Sequence, residues 1–127
     1  MKTTLNKIAS VLALIIGAMA VFAGGQVLLG KVLDYYVIDW LPVYNYTVGI
    51  LTVFVTAILI WKGNHLALPA ALVTFILHAV VMLALQIAYH DVVAVDSLVA
   101  MTIRLVAWIL ILALMLLQIK RNKVIHI

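Results

Sequence analysis

Arg104 lies inside a long apolar segment that runs from Asp96 to Met115. A charged side chain deep in a bilayer costs roughly 2.5–3.5 kcal/mol on insertion scales, so such residues usually face a bundle interior or a wet cavity. The planar guanidinium can donate two hydrogen bonds to a carboxylate, a phosphate or a carbonyl group. Arg104 is therefore the first candidate for a binding group.

Three other strongly polar residues, Gln26, Asn45 and Gln86, lie near one end of other apolar segments. With a helical rise of about 1.5 Å per residue, each lies about 5–6 Å below the same membrane surface, and Arg104 about 10 Å below it. They are expected to form one polar layer with Arg104. This layer has two interpretations. One is a set of interhelical hydrogen bonds that fix the packing. The other is a shallow pocket for an anionic or carbonyl-bearing ligand, such as a lipid headgroup or a quinone.

His78 and Trp108 lie near the middle of two of these segments. A histidine at that depth could ligate haem iron, relay protons or bind a quinone. The alternative is a structural histidine that bonds to Thr52, Thr56 or a backbone carbonyl group. Trp108 follows Arg104 by one helical turn, so it could stack on the guanidinium as a cation–π partner or pack between helices.

Many kinds of catalysis are excluded by what the sequence lacks. It has no cysteine, which excludes disulfides and thiolate metal sites. It has no nucleophile elbow, HExxH motif, P-loop or Gly-rich dinucleotide turn. No acidic residue lies inside an apolar segment, so cation-coupled transport lacks its usual carboxylate. We expect a non-enzymatic protein with no catalytic residue, no metal site and no cofactor.

The elements that must position these residues are transmembrane helices. The chain has 127 residues, of which 69% are hydrophobic and 9% are charged, whereas soluble domains are about half apolar and a quarter charged. Four apolar segments, near residues 8–30, 41–61, 66–89 and 97–119, each reach the roughly 20 residues that span a bilayer as a helix. Because the connections are short, consecutive helices should be antiparallel. The sequence predicts an all-α membrane protein, one antiparallel four-transmembrane-helix bundle in a single domain of residues 1–127.

Charge placement predicts the orientation of this bundle. The formal charge of +4 needs no nucleic-acid partner, because the basic residues gather on one side of the membrane. Under the positive-inside rule this side is cytoplasmic, and it holds both termini of a bacterial inner-membrane protein. The basic residues on that side are Lys2, Lys7, Lys62, Lys120, Arg121 and Lys123, and the other side has Lys31 with the acids Asp34, Asp39, Asp91 and Asp96.

The first apolar segment also has features of a signal peptide. A basic start and an apolar core are followed by small residues at Ala18 and Ala20. The apolar run continues to Leu29, however, and this length favours a retained membrane anchor.

A stripe of small residues, here called the small-residue stripe, lines one face of the first segment at helical spacing. Such stripes let two helix backbones approach closely. We expect it to meet a face of the second helix or a partner subunit, and the sequence leaves both open. The stripe consists of Ala13, Gly17, Ala20 and Gly24, and the face of the second helix of Asn45, Gly49, Thr52 and Thr56.

The stretch "WLPVYNYTVGILTVFVTAILIWKGNHLALPAALVTFILHAVV", residues 40–81, resembles the middle of small four-helix bacterial inner-membrane proteins of unknown role. In size and number of spans the whole chain is similar to DoxX-like proteins. The resemblance covers the span pattern, and it assigns no function to any single residue.

Three functions are compatible with these features. The first is association with the lipid bilayer and with a protein partner or further copies of the chain, as an accessory, assembly or immunity-type subunit. The second is an electron-transfer membrane subunit that binds quinone or haem through Arg104, His78, Gln86 and Trp108. The third is a small homo-oligomeric channel or carrier with the polar layer as its vestibule.

Overall fold

The computed structural model describes residues 3–125, and the regular elements in this range are all helical. Four of its helices are long and apolar enough to cross a membrane. The predicted all-helical chain with four apolar helices is thereby confirmed. Lys2, part of the predicted cytoplasmic charge, lies outside the described residues. The helices are α1 (Thr4–Leu28), α2 (Leu41–Lys62), α3 (Ala67–Ile87) and α4 (Val95–Ile125).

The helix ends differ from the ends of the apolar segments. Helix α1 begins at Thr4 rather than near residue 8, and α4 continues through Lys120 to Ile125 rather than ending near residue 119. Hydropathy locates the apolar part of a helix, whereas backbone hydrogen bonding continues into polar residues that remain good helix formers. The sequence-based ranges therefore describe the apolar cores of α1 and α4 more closely than their full lengths.

Helix α2 contains a wide turn that the sequence did not predict. Residues Thr52–Thr56 form a π-helical segment, a feature that appears mostly as a single turn inside an α-helix. The Ser10 hydroxyl of α1 donates to the Ala57 carbonyl at 2.6 Å, directly after this segment. The Thr52 hydroxyl donates to the Val48 carbonyl at 2.7 Å. Side-chain hydroxyls thus supply hydrogen bonds to the backbone on both sides of the wide turn.

The small-residue stripe packs against α2 within the chain. A Cβ atom added at Gly24 would lie 2.5 Å from the Pro42 carbonyl oxygen and 2.7 Å from the Tyr46 backbone nitrogen. One added at Gly17 would lie 2.9 Å from the Thr52 side chain. Of the two alternatives left open by the sequence, the structure shows the contact with the second helix. Every residue of the stripe is buried: Ala13, Gly17, Ala20 and Gly24.

The beginning of α1 is held by a side chain of α4. The backbone N–H groups of Leu5 and Asn6 donate to the Gln118 side-chain oxygen, at 3.0 and 3.4 Å. Thr3, at the N-cap position, forms no side-chain capping bond. Because the first N–H groups of a helix have no partner within it, the buried Gln118 side chain takes the place of a local cap.

The two ends of the molecule differ in charge. The connections α1–α2 and α3–α4 meet at one end, here called the acidic end, where Trp40 donates to the Tyr89 hydroxyl at 3.0 Å. A buried cluster that includes Ile38, Leu85 and Met101 holds the α1–α2 connection against α3 and α4. The opposite end, here called the basic end, contains the start of α1, the α2–α3 connection and the last turns of α4. The acidic end carries Asp34, Asp39, Asp91 and Asp96, and the basic end carries Lys7, Lys62, Lys120 and Arg121.

Candidate functional site

The central contact of the site joins α4 to α2. Arg104 donates from Nη1 to the Asn45 side-chain oxygen at 2.5 Å, and only 7% of Arg104 is exposed. The salt bridge formed by the described side chains, those of residues 3–122, joins His90 to Asp91, so no described carboxylate pairs with Arg104. The guanidinium is therefore hydrogen-bonded, but its charge is not neutralised.

Arg104 lines a cavity at the acidic end, here called the Arg104 cavity. Its volume is about 70 Å³, and its polar lining comes from Tyr35, Asn45, Asp96, Ser97 and Arg104. A water molecule requires about 10–15 Å³ of such space, so the cavity has room for a few waters or for one small group such as a carboxylate. Drug-sized ligands occupy pockets of about 300–1,000 Å³. The cavity in this form is too small for a quinone or a haem.

Charge varies along the depth of the Arg104 cavity. Asp96 precedes Arg104 by about two helical turns, which places it about 12 Å closer to the acidic end. Tyr35 lies on the connecting segment, where partial burial raises the pKa of its hydroxyl, and the Asp96 and Asp34 carboxylates raise it further. Tyr35 therefore stays protonated and can donate a hydrogen bond. Tyr35 and Asp96 thus line the cavity nearer the acidic end, and Arg104 lines its deeper part.

The two glutamines predicted for the polar layer do not join Arg104. Gln26 is half-buried, and its side-chain oxygen accepts a hydrogen bond from Lys31 Nζ at 3.3 Å. Gln86 is exposed on α3. The sequence gives the depth of a residue in a helix, but packing decides which way the helix is rotated. The structure brings together Arg104 and Asn45 from the predicted layer.

His78 lies in a second buried polar contact, next to the first. Its Nδ1 atom shares a hydrogen bond with the Tyr44 hydroxyl at 2.8 Å, and only 3% of His78 is exposed. The Nδ1 atom of His78 thus bonds to none of the partners expected from the sequence, which were Thr52, Thr56 and a backbone carbonyl group. Among the side chains that the structure describes, no group of three acidic or histidine residues could hold a metal ion. His78 forms part of the packing between α2 and α3.

Trp108 lies beside His78 rather than on Arg104. Their ring centroids are 6.4 Å apart, and Trp108 is fully buried. Its Nε1–H group has no hydrogen-bond partner among the described residues. The cation–π contact formed by the side chains of residues 3–122 joins Lys7 to Trp61. Trp108 therefore fills space between the helices beside the hydrogen bond of Tyr44 and His78.

Sequence reasoning missed the role of Tyr44 and did not consider Gln118. Tyr44 was not among the predicted site residues, but its hydroxyl turns inward to His78. The available signal was the position of Tyr44 directly before Asn45, because two consecutive polar residues in the first turn of α2 face different neighbouring helices. Gln118 lies in an apolar run just before Lys120, which is a weak signal because glutamine is common near helix ends.

Comparison with protein families, with curated proteins and with solved structures found no match. The similarity to DoxX-like proteins in span pattern stays a prediction. The function of this chain is therefore inferred from the geometry of the Arg104 cavity.

Proposed function

We propose that this chain is a non-enzymatic, multi-pass protein of the bacterial inner membrane that acts by association. It serves as an accessory, assembly or immunity-type subunit. Its four apolar helices form an antiparallel transmembrane bundle, with the basic end in the cytoplasm as the positive-inside rule requires. The acidic end and the Arg104 cavity then face the outside.

The observation that carries the proposal is the un-neutralised charge of Arg104. Buried charges in proteins are normally paired, because an isolated charge away from water is unfavourable. Arg104 is buried, its observed partner is the neutral amide of Asn45, and it lines a cavity. An acidic or carbonyl group of a protein partner would fit this cavity and complete the pairing. Arginine suits such a group because its fork can donate two parallel hydrogen bonds.

The geometry favours this function over the two alternatives. A quinone or haem would need several times the volume of the Arg104 cavity, and Nδ1 of His78 is already hydrogen-bonded. In a homo-oligomeric channel or carrier with the polar layer as its vestibule, an open path would have to continue past Arg104. Instead, Met101, Trp108 and Ile111 are buried in the core near and beyond Arg104.

The test is affinity purification from the native host in mild detergent, followed by native mass spectrometry. We expect the 13.9 kDa chain to carry the mass of a second protein. Arg104→Met should remove that mass. Thr102→Met, at an exposed position on the same helix, should retain it and is the matched control.

A second variant keeps the test valid if Arg104→Met folds poorly. Ala100 lines the cavity, so Ala100→Leu should fill the space and release the partner without removing the guanidinium. Circular dichroism should show unchanged helix content for this variant. Retention of the partner by both variants, or a wild-type chain that carries only lipid or no added mass, would refute the proposal.

A further inference from the structure

An apolar groove lies between α1 and α2 at the basic end, far from the Arg104 cavity. It consists of two adjoining cavities of about 220 and 440 Å³ that share Val11 and Trp61 in their linings. The remaining lining is aliphatic apart from Thr4, Lys7 and Ser10. Ser10 is its polar exception on the deeper side, and its hydroxyl already donates to the Ala57 carbonyl. The groove thus offers apolar contact along its length.

A cation is held at one end of this groove. Lys7 lines the groove, and its Nζ atom lies 4.6 Å from the centroid of the Trp61 ring. A cation–π contact of this kind positions the ammonium group, whose N–H groups can still donate to an anion. Lys62 follows Trp61 directly in the sequence. Among the described residues, the acids lie at the opposite end, so an anion here meets attraction alone.

The length of the groove matches one leaflet of a bilayer. Its lining on α1 extends from Thr4 to Leu14, which is about 15 Å along a helix. The hydrocarbon core of a bilayer is about 30 Å thick, so one leaflet is about 15 Å. From Lys7 to Leu14 the lining covers about 10 Å, so an acyl chain that entered the groove beside Lys7 would remain in contact with protein over about two-thirds of its leaflet.

We propose that this groove binds one acyl chain of an anionic phospholipid, with the lipid phosphate on Lys7. Apolar contact along the groove holds the chain, and the positioned ammonium selects for negative headgroups over neutral ones. The site uses the cytoplasmic orientation of the basic end, but it does not depend on the Arg104 cavity or on a protein partner. A failure here therefore leaves the association function untouched.

The test is native mass spectrometry of the purified full-length protein in detergent, titrated with phosphatidylglycerol or with phosphatidylcholine of the same acyl chains. We expect tighter binding of phosphatidylglycerol. Lys7→Gln should weaken that binding about fivefold, which corresponds to the roughly 1 kcal/mol that one lysine contributes at an anionic surface. Lys31→Gln removes the same charge at the acidic end and should leave binding unchanged.

A second variant tests the groove itself. Val11 lies in both parts of the lining, so Val11→Trp should block the acyl chain while all lysines remain, and phosphatidylglycerol binding should fall. Equal binding of the two lipids would overturn the proposal. Equal weakening by Lys7→Gln and Lys31→Gln would also overturn it, because the effect would then come from net charge alone.

Discussion

At the scale of single residues, the first turn of α2 makes two different inward contacts. Asn45 accepts a hydrogen bond from Arg104 on α4, and Tyr44 shares one with His78 on α3. Neighbouring residues on a helix point in directions about 100° apart, so one turn can serve two partners. The two contacts therefore tie three helices together at the level of the Arg104 cavity.

The role of Asn45 can be separated from the charge of Arg104. Asn45→Ala leaves the guanidinium without its partner, so the free energy of unfolding should fall by about 1.5–3 kcal/mol, the usual range for hydrogen bonds to charged groups. Asn45→Asp keeps an acceptor of the same shape and should fold at least as stably as Asn45→Ala. Denaturant titration in detergent micelles, followed by circular dichroism, measures both changes.

The Asn45→Asp variant also distinguishes a binding site at Arg104 from simple packing between helices. In Asn45→Asp the carboxylate neutralises Arg104 from within the chain, so the association partner should be lost although the fold is retained. If the partner bound the Asn45→Asp variant as strongly as the wild type, the charge of Arg104 would not be what it recognises.

At the scale of the helices, the contact between α1 and α2 depends on the backbones approaching closely at the small-residue stripe. Gly24 faces the backbone of α2, whereas a Cβ atom at the adjacent Gly25 would lie 3.6 Å from the Tyr46 ring, an ordinary contact. Large substitutions at Gly17 or Gly24 therefore act first on the packing within this chain. A partner interface has to be sought on other surfaces.

Single alanine substitutions at two adjacent glycines, compared with each other, test this packing. Gly24→Ala should lower the free energy of unfolding by about 1–3 kcal/mol, because overpacking against backbone atoms forces the helices apart. Gly25→Ala should stay within about 1 kcal/mol of the wild type, since alanine is the better helix former and its methyl group would make an ordinary contact with the Tyr46 ring. Thermal unfolding in the same detergent compares the two. Equal destabilisation by both would mean that the α1–α2 contact is not this close.

The sequence predicted the number and apolar character of the helices because hydropathy reports them directly. It could not predict how each helix is rotated about its axis. This is why Arg104 and Asn45 meet while Gln86 is exposed and Gln26 bonds to Lys31. The π-helical turn at Thr52–Thr56 and the cap supplied by Gln118 also depend on contacts between helices, which no local pattern in the sequence reveals.

At the scale of the whole molecule, each end combines its own charge with its own candidate binding site. The acidic end holds the Arg104 cavity and the aromatic contact between Trp40 and Tyr89. The basic end holds Lys7, Lys62 and Lys120 and the apolar groove beside Lys7. In our account these are the outer and cytoplasmic ends, so partner binding and lipid binding occur on opposite sides of the membrane.

The central claim, that the Arg104 cavity faces the outside of a cell membrane, can be tested most directly by labelling introduced cysteines. The chain has no cysteine of its own, so single changes give a clean signal. Val32, 91% exposed on the α1–α2 connection, and His65, exposed on the α2–α3 connection, mark the two ends. A membrane-impermeant maleimide applied to intact cells with a permeable outer membrane should label Val32→Cys and leave His65→Cys unmodified until the inner membrane is lysed. Labelling of His65→Cys alone, or of both variants before lysis, would contradict the account.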